Sequence, residues 1–221
     1  NGLRWRRLVR TLTIRNRDSH RSIFLNFLLR VKELVNSDCR FGFCMKSCVY
    51  IYIYIYIHIC GGTGCQDPHF SRISTADVLV ISDYGQGVVT DEGAARLINA
   101  AKVAGVPVIC DPKLTGLHRT AGADWVIFQT RGLDLMAKRL ACSDSSEAAK
   151  LLIKENDWNN LVVLQGENGV TIYTSDEQVI SSPCTLAEPR GAIGIIDAAA
   201  VAVAAGVNLG LEVADIAHLA N

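Results

Sequence analysis

Ala76-Asp77-Val78-Leu79-Val80-Ile81-Ser82-Asp83-Tyr84-Gly85-Gln86-Gly87 opens the alternation that decides the fold. Six residues from Asp77 to Ser82 predict a strand apolar on both sides, and Tyr84 to Gly87 predict a turn. Asp91 to Ala104 then repeats Ala94, Leu97, Ile98 and Ala101 at helical spacing, and Gly105 stops that helix. Val106-Pro107-Val108-Ile109-Cys110 supplies the next strand, with Asp111 at its C-terminal end.

The same order continues downstream. Trp125 to Phe128 and Leu161 to Leu164 read as further strands, with helices from Leu133 to Leu140 and from Ser145 to Glu155 between them. Gly166-Glu167-Asn168-Gly169 is a tight turn into Val170-Thr171-Ile172-Tyr173, and two alanine-rich helices follow, Asp197 to Ala205 and Leu211 to Ala220. Nearly continuous apolar strands separated by helices predict an α/β fold with an open, mainly parallel sheet covered on both faces.

Residues 1–75 read differently. Ile23, Phe24, Phe27, Leu28, Val31, Leu34 and Val35 recur at near-helical spacing, which predicts an amphipathic helix from Ser22 to Val35. Val49 to Ile59 alternates Tyr with Ile and predicts a strand with tyrosines on one face. Residues 1–46 carry 11 Lys/Arg against 3 Asp/Glu, whereas 47–221 carry 11 against 19, so the net charge of zero hides two opposed halves. No recognition motif accompanies the basic arm, so it reads as a solvated extension rather than a nucleic-acid binder. We expect residues 1–75 to be such an extension and 76–221 to be the domain.

Five of the eight cysteines, Cys39, Cys44, Cys48, Cys60 and Cys65, lie in that extension without paired C-x-x-C spacing, which argues against zinc. Cys110, Cys142 and Cys184 read as small apolar residues of a reduced, cytoplasmic protein. No membrane helix is expected, because the Cys48–Cys60 tract is too short to span.

Chemistry in an open α/β sheet gathers beyond the C-terminal strand ends. The candidates there are Asp83 with Tyr84, Asp111 with Lys113, Gly166 and Gly169, and Gly191-Ala192-Ile193-Gly194 before an alanine-rich helix. Asp83 and Asp111 end neighbouring strands and suit one cleft, although each also suits a turn or cap. Lys113 would steady a phosphate as a point charge, and the glycines would let backbone N–H groups approach an anion. Asp197 is the N-cap of the helix, a displaced catalytic acid or a plain surface residue. His118 and His218 read as surface or packing residues, with no nucleophile elbow beside them.

Taken in order, Ser82-Asp83-Tyr84-Gly85, Asp111-Pro112-Lys113, Gln165-Gly166-Glu167-Asn168-Gly169 and Leu219-Ala220-Asn221 resemble the PfkB, or ribokinase-like, carbohydrate kinases. Within that family they resemble the heptose-phosphate kinase domains of bacterial bifunctional heptose synthases. The resemblance implies an incomplete ribokinase-like sheet, ATP with Mg2+ as cofactors, and phosphoryl transfer to a sugar phosphate such as a heptose 7-phosphate. It places Asp83 and Tyr84 on the sugar side, and Asp111 with Lys113 beside the phosphates. Gly166, Gly169, Gly191, Ala192, Gly194 and Asn221 fall around the nucleotide.

The chain also departs from the family pattern. Gly194 stands where G-A-G-D supplies the catalytic aspartate, which leaves Asp197 as the candidate base. Gln129-Thr130-Arg131-Gly132 replaces an N-x-x-E motif that organises magnesium. The alternative expectation is therefore an inactive relative, serving as a binding or structural module without turnover.

Overall fold

A computed structural model describes residues 27–30, 50–53, 73–85, 87, 89–184 and 194–221. Eight strands form one sheet in chain order: β1 (Phe27–Arg30), β2 (Tyr50–Ile53), β3 (Val78–Asp83), β4 (Val108–Pro112), β5 (Trp125–Gln129), β6 (Asn160–Leu164), β7 (Val170–Thr174) and β8 (Val179–Ser182). β2 to β6 run parallel, whereas β1 pairs antiparallel with β2, and β7 and β8 close the other side antiparallel. The α/β expectation, an open and mainly parallel sheet, is met.

Alternation along each strand builds two cores. Leu79, Ile81, Val108, Cys110, Val126, Phe128, Leu161 and Val163 face one side. There they meet α1 (Asp91–Ala104), α2 (Thr130–Arg139) and α3 (Ser145–Asn156). Val78, Val80, Ile109, Ile127, Val162 and Ile172 face the other, under α4 (Ile195–Asn208) and α5 (Val213–Leu219). Ala199, Ala200, Val203 and Ala204 line the buried stripe of α4, where small side chains let the helix backbone lie close to the sheet. Helices thus cover both faces, as a parallel sheet requires.

Local chemistry sets the helix ends. Thr90 Oγ1 accepts from Gly93 N at 3.0 Å to start α1, and Gly105 ends it in the left-handed conformation with φ 69°. Asp144 accepts from Glu147 N at 2.8 Å while Glu147 accepts from Ser143 N at 2.6 Å, a reciprocal cap for α3. A 3₁₀ segment, Leu114–Thr120, follows β4 and is pinned by Trp158, whose Nε1 donates to Thr120 O at 2.9 Å.

Several expectations need correction. The helix expected from Ser22 to Val35 is a strand at Phe27–Arg30, and the rest of that range lies outside the described residues. The open edge of β2 offers backbone hydrogen bonds, and antiparallel pairing with it overrides a weak helical period. Of the strand expected over Val49–Ile59, Tyr50–Ile53 is described as β2 and pairs with β3. α2 begins at Thr130, three residues before the apolar stripe that signalled it. β8 was not expected, because Val179-Ile180-Ser181-Ser182 is short and half polar and is held by pairing with β7. Asp197 is not the N-cap of its helix: that position belongs to Gly194, with φ 80°.

Candidate active site

β3 and β4 end side by side, with Ser82 paired to Asp111 and Asp83 to Pro112. The N-terminus of α4 crosses above them and brings Asp197 over the same strand ends. Tyr84 Oη donates to Asp197 Oδ1 at 2.6 Å, a contact spanning 113 positions in sequence. Asp197 therefore leans, on the exposed surface, toward the turn that follows β3.

Asp111 lies beneath this pair. Burial pushes its carboxyl up to about 6, and the negative charge of Asp197 adds to the effect while Lys113 opposes it. Lys113 is exposed, but its stem lies against the turn: a side chain at Gly85 would stand 3.5 Å from Lys113 Cγ. Burial, the hydrogen bond to Asp197 and the charges of Asp197 and Asp111 hold the Tyr84 phenol well above its usual range. Tyr84 is thus a donor at any working pH.

The sign of the Asp111 effect gives a first prediction. A carboxyl raised from 3.8 in the unfolded chain to about 6 in the fold binds its proton more tightly when folded. Stability should therefore fall as pH rises from about 4 to about 6 and then level off, a loss of about 2–3 kcal/mol. Asp111→Asn should be more stable than the wild type by that amount at pH 7.5 and equal to it near pH 4. Urea unfolding at both pH values checks this, and a constant difference would contradict it.

Asp83 is placed otherwise. Its Oδ1 accepts from Gly85 N at 2.8 Å and its Oδ2 from Arg119 Nη1 at 2.8 Å, so its carboxylate faces the 3₁₀ segment. Arg119 Nε continues to Asp91 Oδ1 at 2.6 Å, and His118 Nε2 meets the same oxygen at 2.8 Å. Gly116 packs against Asp83 Oδ2, which a Cβ there would overlap. The sequence reading missed Arg119 and Gly116. Their one available signal was a buried aspartate in need of a cation, and the pairing becomes visible only when Arg119 folds back 36 residues later.

A second group forms beyond β6. Gly166 and Gly169 have φ of 59° and 88° and bound the 3₁₀ turn into β7. A Cβ at Gly169 would overlap the Ser182 carbonyl and lie 2.7 Å from Cys184 N, so two backbones touch here. Asn221 Nδ2 donates to Pro183 O at 2.6 Å and to Ser182 Oγ at 3.3 Å, while His218 Nδ1 lies 3.4 Å from that hydroxyl. The structure therefore brings Gly169 and Asn221 to the same end of β8. Gly169→Ala should cost about 2–3 kcal/mol, since positive φ adds to an overlap with immovable backbone. A urea midpoint unchanged from wild type would refute that close approach.

Gly191 and Ala192 lie outside the described residues, and Gly194 is exposed at the start of α4. Gln129 to Gly132, which stand where the family has its magnesium motif, do not fit that role. Thr130 Oγ1 donates to Leu164 O at 3.2 Å, Gly132 has no side chain, and nearby Asp134 accepts from Ser145 Oγ at 2.8 Å. Among the described residues, no group of three or more His, Cys, Asp or Glu is placed to hold a metal. No helix among them is long and apolar enough to cross a membrane.

Over 148 residues the chain is 34% identical to the bifunctional protein HldE of Paramagnetospirillum magneticum, covering 66% of this chain and 30% of that one. It is 31% identical to HldE of Caulobacter vibrioides over 154 residues, 68% and 32% of the two chains. The chain thus spans about a third of the length of these curated relatives. In fold it is similar to Arabidopsis thaliana ribokinase complexed with ribose and ATP, with TM-score 0.58 and 15% identity over 79% of this chain and 56% of that one. Escherichia coli phosphofructokinase-2 in complex with potassium aligns with TM-score 0.58 and 20% identity over 68% and 51%. Residues 61–221 match the family described as pfkB family carbohydrate kinase, and the chain belongs to that family.

Proposed function

We propose that residues 76–221, with β1 and β2 of the preceding segment added to their sheet, act as a partial sugar kinase domain and transfer a phosphoryl group from ATP to a sugar phosphate such as a heptose 7-phosphate. The observation that supports this reading is the Tyr84–Asp197 hydrogen bond near Asp111, because it keeps a carboxylate close to the ends of β3 and β4 although Gly194 has no side chain. Asp197 accepts the proton of the acceptor hydroxyl, the freed oxygen bonds to the γ-phosphorus, and the bond from that phosphorus to the β-bridging oxygen breaks to release ADP. Lys113 lies at the β4 end as a point charge for the phosphates.

The bifunctional relatives and the sugar kinases of like fold support the substrate class. A second reading, acceptor binding without turnover, is favoured by Gly132, which brings no carboxylate where the family's magnesium motif has one. The full chain with ATP, magnesium and a heptose 7-phosphate, followed by coupled ADP release, separates the two. Acceptor-dependent ADP is expected, and saturable acceptor binding with no ADP would leave only the second reading.

A further inference from the structure

Asp197 is the third residue of α4, a place from which a carboxylate ordinarily reaches back to its own helix start. Gly194 offers it no side-chain partner at the cap, and the carboxylate instead meets Tyr84 across the cleft at 2.6 Å. Tyr84 in turn stands on a turn that is held from below. Asp83, with its side chain 5% exposed, grips Gly85 N with one oxygen and Arg119 with the other, and Gly116 leaves room for that grip. A tyrosine half exposed in a cleft is open to reading as a sugar contact, yet its hydroxyl is already committed to Asp197.

We infer that Tyr84 is a positioning residue for Asp197: its hydroxyl holds that carboxylate over the strand ends, and the Asp83–Arg119 pair fixes the turn from which it reaches. This rests on the reading of Asp197 as proton acceptor. A donor fixed on one carboxylate oxygen limits the side chain's rotation and leaves its other oxygen for the acceptor hydroxyl. Small errors in such placement are costly, because proton acceptance requires hydrogen-bond distance at the moment of attack. The burial of Tyr84 and the negative charge beside it weaken the phenol as an acid and keep the donor proton on it throughout.

The test is steady-state ADP release by the full chain over a range of heptose 7-phosphate concentrations, with Tyr84→Phe, Asp197→Asn and the double variant. Tyr84→Phe removes one half-exposed hydroxyl, and a urea midpoint confirms that it folds. It should lower kcat about 10–100-fold with KM within about twofold of wild type. In the Asp197→Asn background the same change should matter less than about twofold, since no base is left to position. A raised KM with unchanged kcat would make Tyr84 a sugar contact and overturn the inference, as would an equal loss in both backgrounds. If Asp197→Asn is impaired while Tyr84→Phe matches wild type, positioning fails and the proposed base stands. If Asp197→Asn matches wild type, or the wild type releases no ADP, the reading of Asp197 fails and the inference fails with it.

Discussion

Asp197→Asn is expected to lower acceptor-dependent kcat about 10²–10⁴-fold, the range that follows loss of a positioned general base. Asparagine keeps the size of the side chain and an oxygen to accept from Tyr84, so the 2.6 Å contact and the start of α4 survive. What it loses is the capacity to take a proton. KM for the sugar phosphate should change little, because the exchange removes an interaction used in the transition state. The same variant has a second readout. The charge of Asp197 is the largest electrostatic contribution holding Asp111 up, so its removal should move the Asp111 midpoint down from about 6. The pH window over which stability falls should narrow from its upper end. Unchanged turnover in Asp197→Asn would sink the proposed chemistry even if that midpoint moved.

Arg119→Met carries the largest expected loss of stability, about 3–4 kcal/mol. Methionine preserves most of the stem, so the loss isolates the guanidinium. Asp83 is 5% exposed and would keep the Gly85 amide but lose its cation. An ionised carboxylate stranded in this way bears most of its desolvation cost, whereas Arg119, at 22% exposure, would have been partly hydrated in any case. Asp91 makes the contrast. Its carboxylate also meets Arg119 but is 68% exposed, and Asp91→Asn should leave stability nearly unchanged. Adding Asp83→Asn to Arg119→Met should recover much of the loss, since the buried charge is gone. Urea unfolding of the wild type and these three variants checks the set. A small effect of Arg119→Met with no recovery would show that the Asp83–Arg119 pair does not hold the Tyr84 turn.

The central fold was legible because burial on both faces leaves a simple mark. Val78 to Ile81, Val108 to Cys110 and Leu161 to Leu164 are apolar at every position, and each becomes an inner parallel strand. The edges were not legible in this way. β8 and β1 depend on a neighbour's backbone, and hydrogen bonding to a sheet edge asks little of side-chain pattern. That is why Phe27–Arg30 carries a helical period and still pairs as a strand.

In the site, the sequence by itself determined which chemical groups end the strands: Asp83 and Tyr84 after β3, Asp111 and Lys113 after β4, and glycines at both ends of the β6–β7 turn. It also determined that Gly194 and Gly132 bring no carboxylate. Only the tertiary structure decided what those groups do with one another. It turned Asp83 toward Arg119 and away from a free role in the cleft, and it turned Asp197 away from capping its own helix toward Tyr84. The reason is distance along the chain. A cap or a turn is chosen by residues two to four apart, which a sequence shows directly, whereas these partners lie 36 and 113 positions apart: the first pair meets when the 3₁₀ segment after β4 folds back on the end of β3, the second once α4 has packed across the sheet.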